Sequence, residues 1–425
     1  MSGGTNERVT RRPGPAARLR AEHAASAVEG KRVSWVELFY DLVLVFAITK
    51  VTHELSDDVT WFGLLDAWVV FTPFWWSWVG AGILSNLTDL DHPTRRLRLF
   101  GMVLITSMMT IAVPMALDGN GLLFAVLYLL LRLLLLWWSI DGFGGLRLNP
   151  FSISAVFTAP MLVATSMLST PHQRIAWTAL MSVELSTTWL LRKRLSHIRV
   201  DVSHLPERFG LVVILALGMA LADSAESIPN TFTAWHAAAL VSCFLLVAGM
   251  WWIYFDVTHG AISHRLRTES DHSRVVRELL AYGHYALFGC ICAVAVGIRL
   301  ILTDPRSRAE PASAILLCAG TALYLGAFVW SRWGLPRSLS WIRFAGAAAI
   351  APTGFLLRER SGLALMTGLA VLVCGAAAAE FVLLRAEEAC LCGCRPARVG
   401  GGRRRLTRRP EPADEPAQRR GAGRW

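Results

Sequence analysis

Residues 34–55 read SWVELFYDLVLVFAITKVTHEL. The run is apolar enough to enter a bilayer, yet it carries Glu37 and Asp41, four residues apart. In a helix that spacing stacks both carboxylates on one face. An ionised carboxylate at the bilayer centre costs about 2.5–3.5 kcal/mol. A spanning helix that opens with two acids must therefore give each a reason. Ser34-Trp-Val-Glu37 has the spacing of a capping box, with Ser34 as N-cap and Glu37 reaching back to its amide. The positive end of the helix dipole favours an acid there as well. Asp41 lies past the first turn, about 8 Å along the axis from Val36 at 1.5 Å per residue. No cap accounts for it. Ionisable groups at such depth face the bundle interior, find partners and mark function.

The apolar theme repeats along the chain. Of 425 residues, 54% are hydrophobic and 17% charged, against about 25% charged in a soluble domain. Hydrophobic runs long enough for a ~30 Å hydrocarbon core recur. They predict an all-α polytopic membrane protein of twelve spans, at 36–54, 61–84, 99–117, 121–140, 150–168, 174–191, 208–226, 234–256, 278–302, 312–330, 338–357 and 361–384. The net charge of +11 sits almost wholly in two tails. Residues 1–32 hold seven Lys/Arg against three acids, and 385–425 hold eleven Arg against five. Basic tails beside membrane spans attract anionic lipid headgroups and set topology, so the charge is no sign of nucleic-acid binding. With the N-terminus inside, the inner segments carry 33 Lys/Arg and the outer loops five. That asymmetry places both termini in the cytosol. Arg outnumbers Lys 39 to 3, a bias of GC-rich bacterial genomes, so the membrane is read as the bacterial cytoplasmic (inner) one. No short apolar core with a small-residue cleavage site follows the basic start, so it does not read as a signal peptide.

The two halves resemble each other. Glu37-Leu-Phe39 begins one and Glu207-Arg-Phe209 the other. The second helix of each ends in an aromatic cluster, Trp75-Trp76-Ser77-Trp78 against Trp251-Trp252-Ile253-Tyr254. Leu127-Tyr128-Leu129 matches Leu323-Tyr324-Leu325, and Ala159-Pro160 matches Ala351-Pro352. With six helices per copy, each half starts on the cytosolic side, which predicts two parallel six-helix pseudo-repeats. The expected organisation is a disordered basic tail (1–32), a first half (33–191), a basic cytosolic linker (192–207), a second half (208–384) and a disordered Arg-rich tail (385–425).

VELFYDLVLVFAI (36–48), WWSW (75–78), NLTDLD followed by arginines (86–98), HLPERFGLVVILALG (204–218), WWIYFD (251–256) and AYGH (281–284) together give the chain a resemblance to the bacterial low-temperature-requirement protein A (LtrA) family. The resemblance spans about residues 33–385 and implies an integral membrane protein linked to growth in the cold. It implies no molecular activity. The family's seventh span typically carries Leu-Gly-Glu, whereas this chain has Leu217-Gly218-Met219.

Counted from the inner helix ends, Asp41, Glu184, His284 and Glu380 share the cytosolic half of the membrane. Arg132 is mid-span, and Arg343 starts the eleventh span on that side. These six predict a polar, cytosol-facing cavity, a substrate or proton pathway, with Asp41 paired to Arg132 or Arg343. His284 has an imidazole that titrates near neutral pH when unperturbed. Its other reading is a hydrogen bond to a neighbouring helix. Glu37 and Glu207 are read as helix-start acids. Trp75, Trp76, Trp78, Trp251 and Trp252 are read as interfacial anchors, with stacking on an aromatic or cationic substrate as the alternative. Asn86, Asp89 and Asp91 form a cytosolic loop motif that pairs with Arg95 or Arg98. His259, His264 and His272 read as loop residues without a metal-binding arrangement. Cys390, Cys392 and Cys394 lack the second ligand pair of a zinc site, so neither metal nor cofactor is expected. Walker A, nucleophile-elbow and Rossmann sequences are absent. The leading expectation is a secondary transporter or permease with an unnamed small-molecule substrate. The alternatives are a membrane-embedded enzyme of lipid or isoprenoid metabolism, or a non-catalytic envelope protein.

Overall fold

A computed structural model describes residues 33–88, 92–143, 145, 147–195, 201, 204–327 and 337–393. The basic tail 1–32, Asp89, Asp91, most of the 385–425 tail and the side chains of the CLCGC cysteines lie outside the described residues. Met1–Leu383 form one compact unit and Leu384–Trp425 a second. The described residues are all-helical, with no strand.

The long helices are α1 (Trp35–Asp57), α2 (Trp61–Leu87), α3 (Pro93–Ile111), α4 (Leu122–Phe143), α5 (Pro150–Thr165), α6 (Thr170–Leu190), α7 (His204–Glu226), α8 (Ala234–Thr268), α9 (His272–Thr303), α10 (Pro311–Gly326), α11 (Arg337–Leu357) and α12 (Gly362–Gly393). Six are long and apolar enough to cross a membrane: α2, α4, α7, α8, α9 and the Gly362–Ala386 part of α12. The sequence expectation is broader for a physical reason. α5, α10 and the Trp341–Leu357 part of α11 are short, and α1, α3 and α6 carry Asp41, Arg98 and Glu184 among their apolar residues. Outward faces are nonetheless apolar, with Phe46, Leu104, Val156, Val241 and Leu356 all exposed. A water-soluble monomer rarely shows so continuous an apolar coat. The chain is a multi-pass membrane protein.

Local chemistry sets the helix starts. Ser34 and Glu37 form the expected capping box, with Ser34 N–H and hydroxyl both donating to Glu37 Oε2 at 2.9 Å. Thr60 caps α2 by accepting from the Gly63 amide. Three stretches are π-helical: Ser154–Thr158 in α5, Tyr254–Thr258 in α8 and Val276–Gly283 in α9. Such bulges recur at functional sites.

α1 packs on α2, α3, α7 and α9 and turns Phe39, Leu42 and Phe46 outward. α9 and α10 meet closely at Gly297, where an added Cβ would stand 2.7 Å from Leu317 Cβ. The tryptophan clusters divide. Trp75, Trp76 and Trp78 are buried and pack edge-on or tilted against Phe209, Tyr282 and Phe288, so the anchor reading fails for them. Trp251 and Trp252 are exposed on the outer face. Tyr254 is buried. His259 and His264 continue α8 and His272 opens α9, because the π-helical turn carries α8 onward instead of ending it.

Candidate functional site

The two acids of α1 converge on the start of α7. Arg208 is fully buried and donates to Asp41 Oδ1 from Nε at 3.1 Å and Nη2 at 3.0 Å, and to Glu37 Oε1 from Nη1 at 3.3 Å. Its Nη1 also donates to Ser85 Oγ at 3.0 Å. Trp78 Nε1 adds a bond to Asp41 Oδ1 at 2.7 Å, and the guanidinium lies over the Trp78 ring at 5.2 Å. Asp41 Oδ2 is buried with no hydrogen-bond partner.

His204, one turn before Arg208, completes the set. Its Nε2 lies 3.3 Å from Glu37 Oε2 and its Nδ1 lies 3.2 Å from Asn86 Nδ2. The Asn86 amide is oriented by the backbone, since its Oδ1 accepts the Asp201 N–H at 2.7 Å. That turns the NH2 toward His204, so Nδ1 accepts and the ring proton sits on Nε2, facing Glu37. Two buried carboxylates share one guanidinium, and the His204 ring adjoins Glu37.

Asp41 thus pairs with Arg208, and not with Arg132 or Arg343. Those two arginines have their own acids. Arg132 Nη2 lies 2.7 Å from Glu184 Oε1, and Arg132 Nε donates to Tyr128 Oη at 2.8 Å. Thr158 of the α5 π-helix donates to Glu184. Arg343 grips Glu380 through Nε at 2.6 Å and Nη2 at 2.9 Å, and donates to Thr258 of the α8 π-helix at 2.8 Å. His284 is buried between Tyr254 Oη at 2.7 Å and the Leu279 carbonyl at 2.9 Å. Six candidates expected to share one cavity are therefore distributed over four buried clusters, because each acid finds a cation nearer than the shared space. Glu207 is exposed in the first turn of α7. Arg98 pairs with Asp141 and stacks on Trp137, and Asn86 serves the α7 start; the pairing expected of Asp89 and Asp91 with the following arginines lies outside the described residues. Among the described residues no His/Cys/Asp/Glu group is arranged to hold a metal.

A fifth cluster sits at the far end of the same helix pair. Asp223 of α7 bonds His53 of α1 and Arg299 of α9, the latter at 3.3 Å. Between the two ends lies a small cavity of about 20 Å³ lined by Val45, Ile48, Ala216, Ala220 and Asp223, among others.

Two larger cavities flank this seam. One of about 80 Å³ lies between α2, α4, α5, α6 and α9, and Arg132 and Arg277 line it. The other, about 720 Å³, lies between α1, α2, α9 and α10, and among the described residues no charged one lines it.

A model of the bacterial low temperature requirement A protein (LtrA) family matches residues 32–386. A protein of Rhizobium meliloti (strain 1021), described as uncharacterized protein RA0937, is 28% identical over 370 residues, covering 83% of this chain and 90% of the relative.

Proposed function

The chain belongs to the bacterial low temperature requirement A (LtrA) family, and on that premise we propose that it is a proton-coupled secondary transporter of the bacterial cytoplasmic membrane. In this reading twelve spans form two six-helix halves, 33–191 and 208–384, with both termini cytosolic. Glu37, Asp41, His204 and Arg208 are the coupling site.

The observation that carries the proposal is the charge count of that set. Two carboxylates and one arginine are buried together, and one carboxylate oxygen, Asp41 Oδ2, has no donor. A buried uncompensated charge is costly, so a proton taken up when the site opens relieves the imbalance. The groups facing Asp41 are Glu37 on its own helix, Arg208 on α7 and Trp78 on α2. His204 reaches it only through Glu37.

The position of the set supports the twelve-span, two-half arrangement. At the repeat offset Ser34 corresponds to His204, and both donate to Glu37 Oε2. The starts of the two halves therefore meet on one carboxylate. Glu184 and Glu380 also correspond, and each pairs with an arginine of its own half. Parallel repeats around a central polar site are a transporter architecture.

The test uses full-length protein in proteoliposomes loaded with a pH-sensitive dye, together with infrared difference spectra on acidification. Wild type should show the carbonyl stretch of a carboxyl group protonated in an apolar site, and Asp41→Asn should lose it together with proton uptake. If the band and the uptake persist in Asp41→Asn and in Glu37→Gln, the coupling-site assignment is wrong.

A further inference from the structure

We infer that the cavity between α2, α4, α5, α6 and α9 is the substrate site of the transporter proposed above, and that it takes a small organic anion with an apolar body. The substrate class rests on that transport reading; the binding chemistry rests on the cavity itself.

The walls are apolar. Trp76 and Val79 come from α2, Phe151 from α5, and Val276 and Ala281 from α9. A cavity of about 80 Å³ has room for about five water-sized probes at roughly 15 Å³ each. That suits one aromatic ring or a short branched chain. Apolar walls with a few placed polar groups are the usual make-up of small-molecule sites.

The placed groups are cations of unequal standing. Arg132 is already neutralised by Glu184 at 2.7 Å. Arg277 is not. Its side chain is 10% exposed, and its Nε is buried without a hydrogen bond. The nearest carboxylate, Glu278, stands 3.7 Å away and is held more closely by Arg274 at 3.0 Å. The Arg277 guanidinium rests on the face of Trp189, 4.8 Å from the ring centroid. A guanidinium so removed from water, with its Nε unused and its one ion pair long, gains from a closer anion. A carboxylate entering the cavity is such an anion, while its hydrocarbon part covers the apolar walls.

The wall that bears Arg277 supports the same reading. Val276, Arg277 and Ala281 all belong to the eight-residue π-helical stretch of α9. A π-turn shifts the angular position of the side chains after it relative to an α-helix. It is a geometry kept where a helix must present particular groups.

The experiment is equilibrium dialysis of radiolabelled benzoate against the full-length protein in nanodiscs, with benzamide as the uncharged isostere. Wild type should bind benzoate saturably, and benzamide at least tenfold more weakly. Arg277→Gln should weaken benzoate at least tenfold and leave benzamide unchanged, with Arg277→Lys in between. Ala281→Leu, which fills the cavity without touching charge, should abolish binding of both. Equal binding of benzoate and benzamide, no saturable benzoate binding, or an unaltered Arg277→Gln overturns the assignment. So does displacement of benzoate by anionic phospholipid but not by soluble carboxylates, which makes the site a lipid-headgroup site. Proton uptake that survives while benzoate binding fails leaves the coupling site standing and sinks only the substrate assignment. Benzoate binding with no proton uptake does the reverse.

Discussion

Replacing Arg208 with Met removes the one cation that two buried carboxylates share. Asp41 lies 3.0 Å and Glu37 3.3 Å from its guanidinium. At an effective dielectric of about 20 those attractions amount to about 5.5 and 5 kcal/mol. Desolvation of the guanidinium and repulsion between the acids offset part of this. Removing one member of a buried pair typically leaves a net loss of about 3–5 kcal/mol. Asp41→Asn acts differently. It deletes the surplus negative charge, leaves Glu37 and Arg208 paired, and keeps an oxygen for the Trp78 and Arg208 donors. Its cost should be about 1 kcal/mol. The gap of about 2–4 kcal/mol corresponds to roughly 30- to 1,000-fold in the unfolding equilibrium.

The assay is denaturation of the purified protein in mixed micelles by increasing SDS, followed by helicity. Arg208→Met should shift the transition far more than Asp41→Asn. Adding Glu37→Gln and Asp41→Asn to Arg208→Met should recover most of the loss, because the uncompensated charge is then gone. If Arg208→Met and Asp41→Asn destabilise equally, or if the triple variant is worse than Arg208→Met, the shared-cation reasoning is refuted.

Other perturbations follow from the same geometry. Arg343→Met should cost about 3–5 kcal/mol by leaving Glu380 buried alone, and Arg343→Met with Glu380→Met should restore much of it in a double-mutant cycle. Trp78→Phe keeps the ring packing but removes one of three donors to Asp41 Oδ1, so a loss of about 1–2 kcal/mol in the same SDS titration is expected. Gly297→Val forces a side chain against Leu317, whose backbone nitrogen would stand 3.0 Å from the new Cβ, and thermal unfolding should show a loss of about 1–3 kcal/mol. Cysteine at position 53, where His53 is 30% exposed, should react with a small aqueous thiol reagent, whereas cysteine at 284, buried outside the α1–α7 seam, should not.

The parts of this molecule set by local chemistry were legible in the sequence. The apolar runs mark helices, and Ser34 with Glu37 marks the start of α1. The depth of Asp41 marks it as a residue needing a partner. The identity of that partner was not legible. Arg208 lies 167 residues away and adjoins Glu207 at the inner end of α7, where a count of charges assigns it to the inner loops. Which of the two side chains turns inward depends on the rotation of α7 about its axis, and that is fixed by packing on α1 and α2. The aromatic clusters fail for a similar reason. Trp75–Trp78 and Trp251–Trp252 both lie toward the C-terminal ends of apolar runs, so position along a helix does not separate a ring inside the bundle from one on its coat. His204 and Asn86 are polar residues at helix ends, and only the fold shows that one orients the other.

The distribution of buried pairs suggests which parts move together. Arg132–Glu184 joins α4 to α6 and Arg343–Glu380 joins α11 to α12, each within one of the halves proposed above, and both are reinforced by a threonine from a π-helical turn. Separating either pair would expose a lone charge to apolar surroundings, so these contacts hold each half as a unit. The contacts between α1 and α7 cross from one half to the other. They are polar at both ends, at Glu37, Asp41, His204 and Arg208 and again at His53 and Asp223, with Val45, Ile48, Ala216 and Ala220 between. In the transport reading proposed above, rocking one half against the other opens one polar end to water while the apolar middle keeps the other shut. Protonation of the Glu37–Asp41 set removes the charge that makes closure of its end costly. The seam, and not the ion pairs within the halves, is then the element whose equilibrium a proton biases. Substitutions at Asp41 should accordingly change proton coupling more than stability, and those at Arg343 should change stability more than coupling.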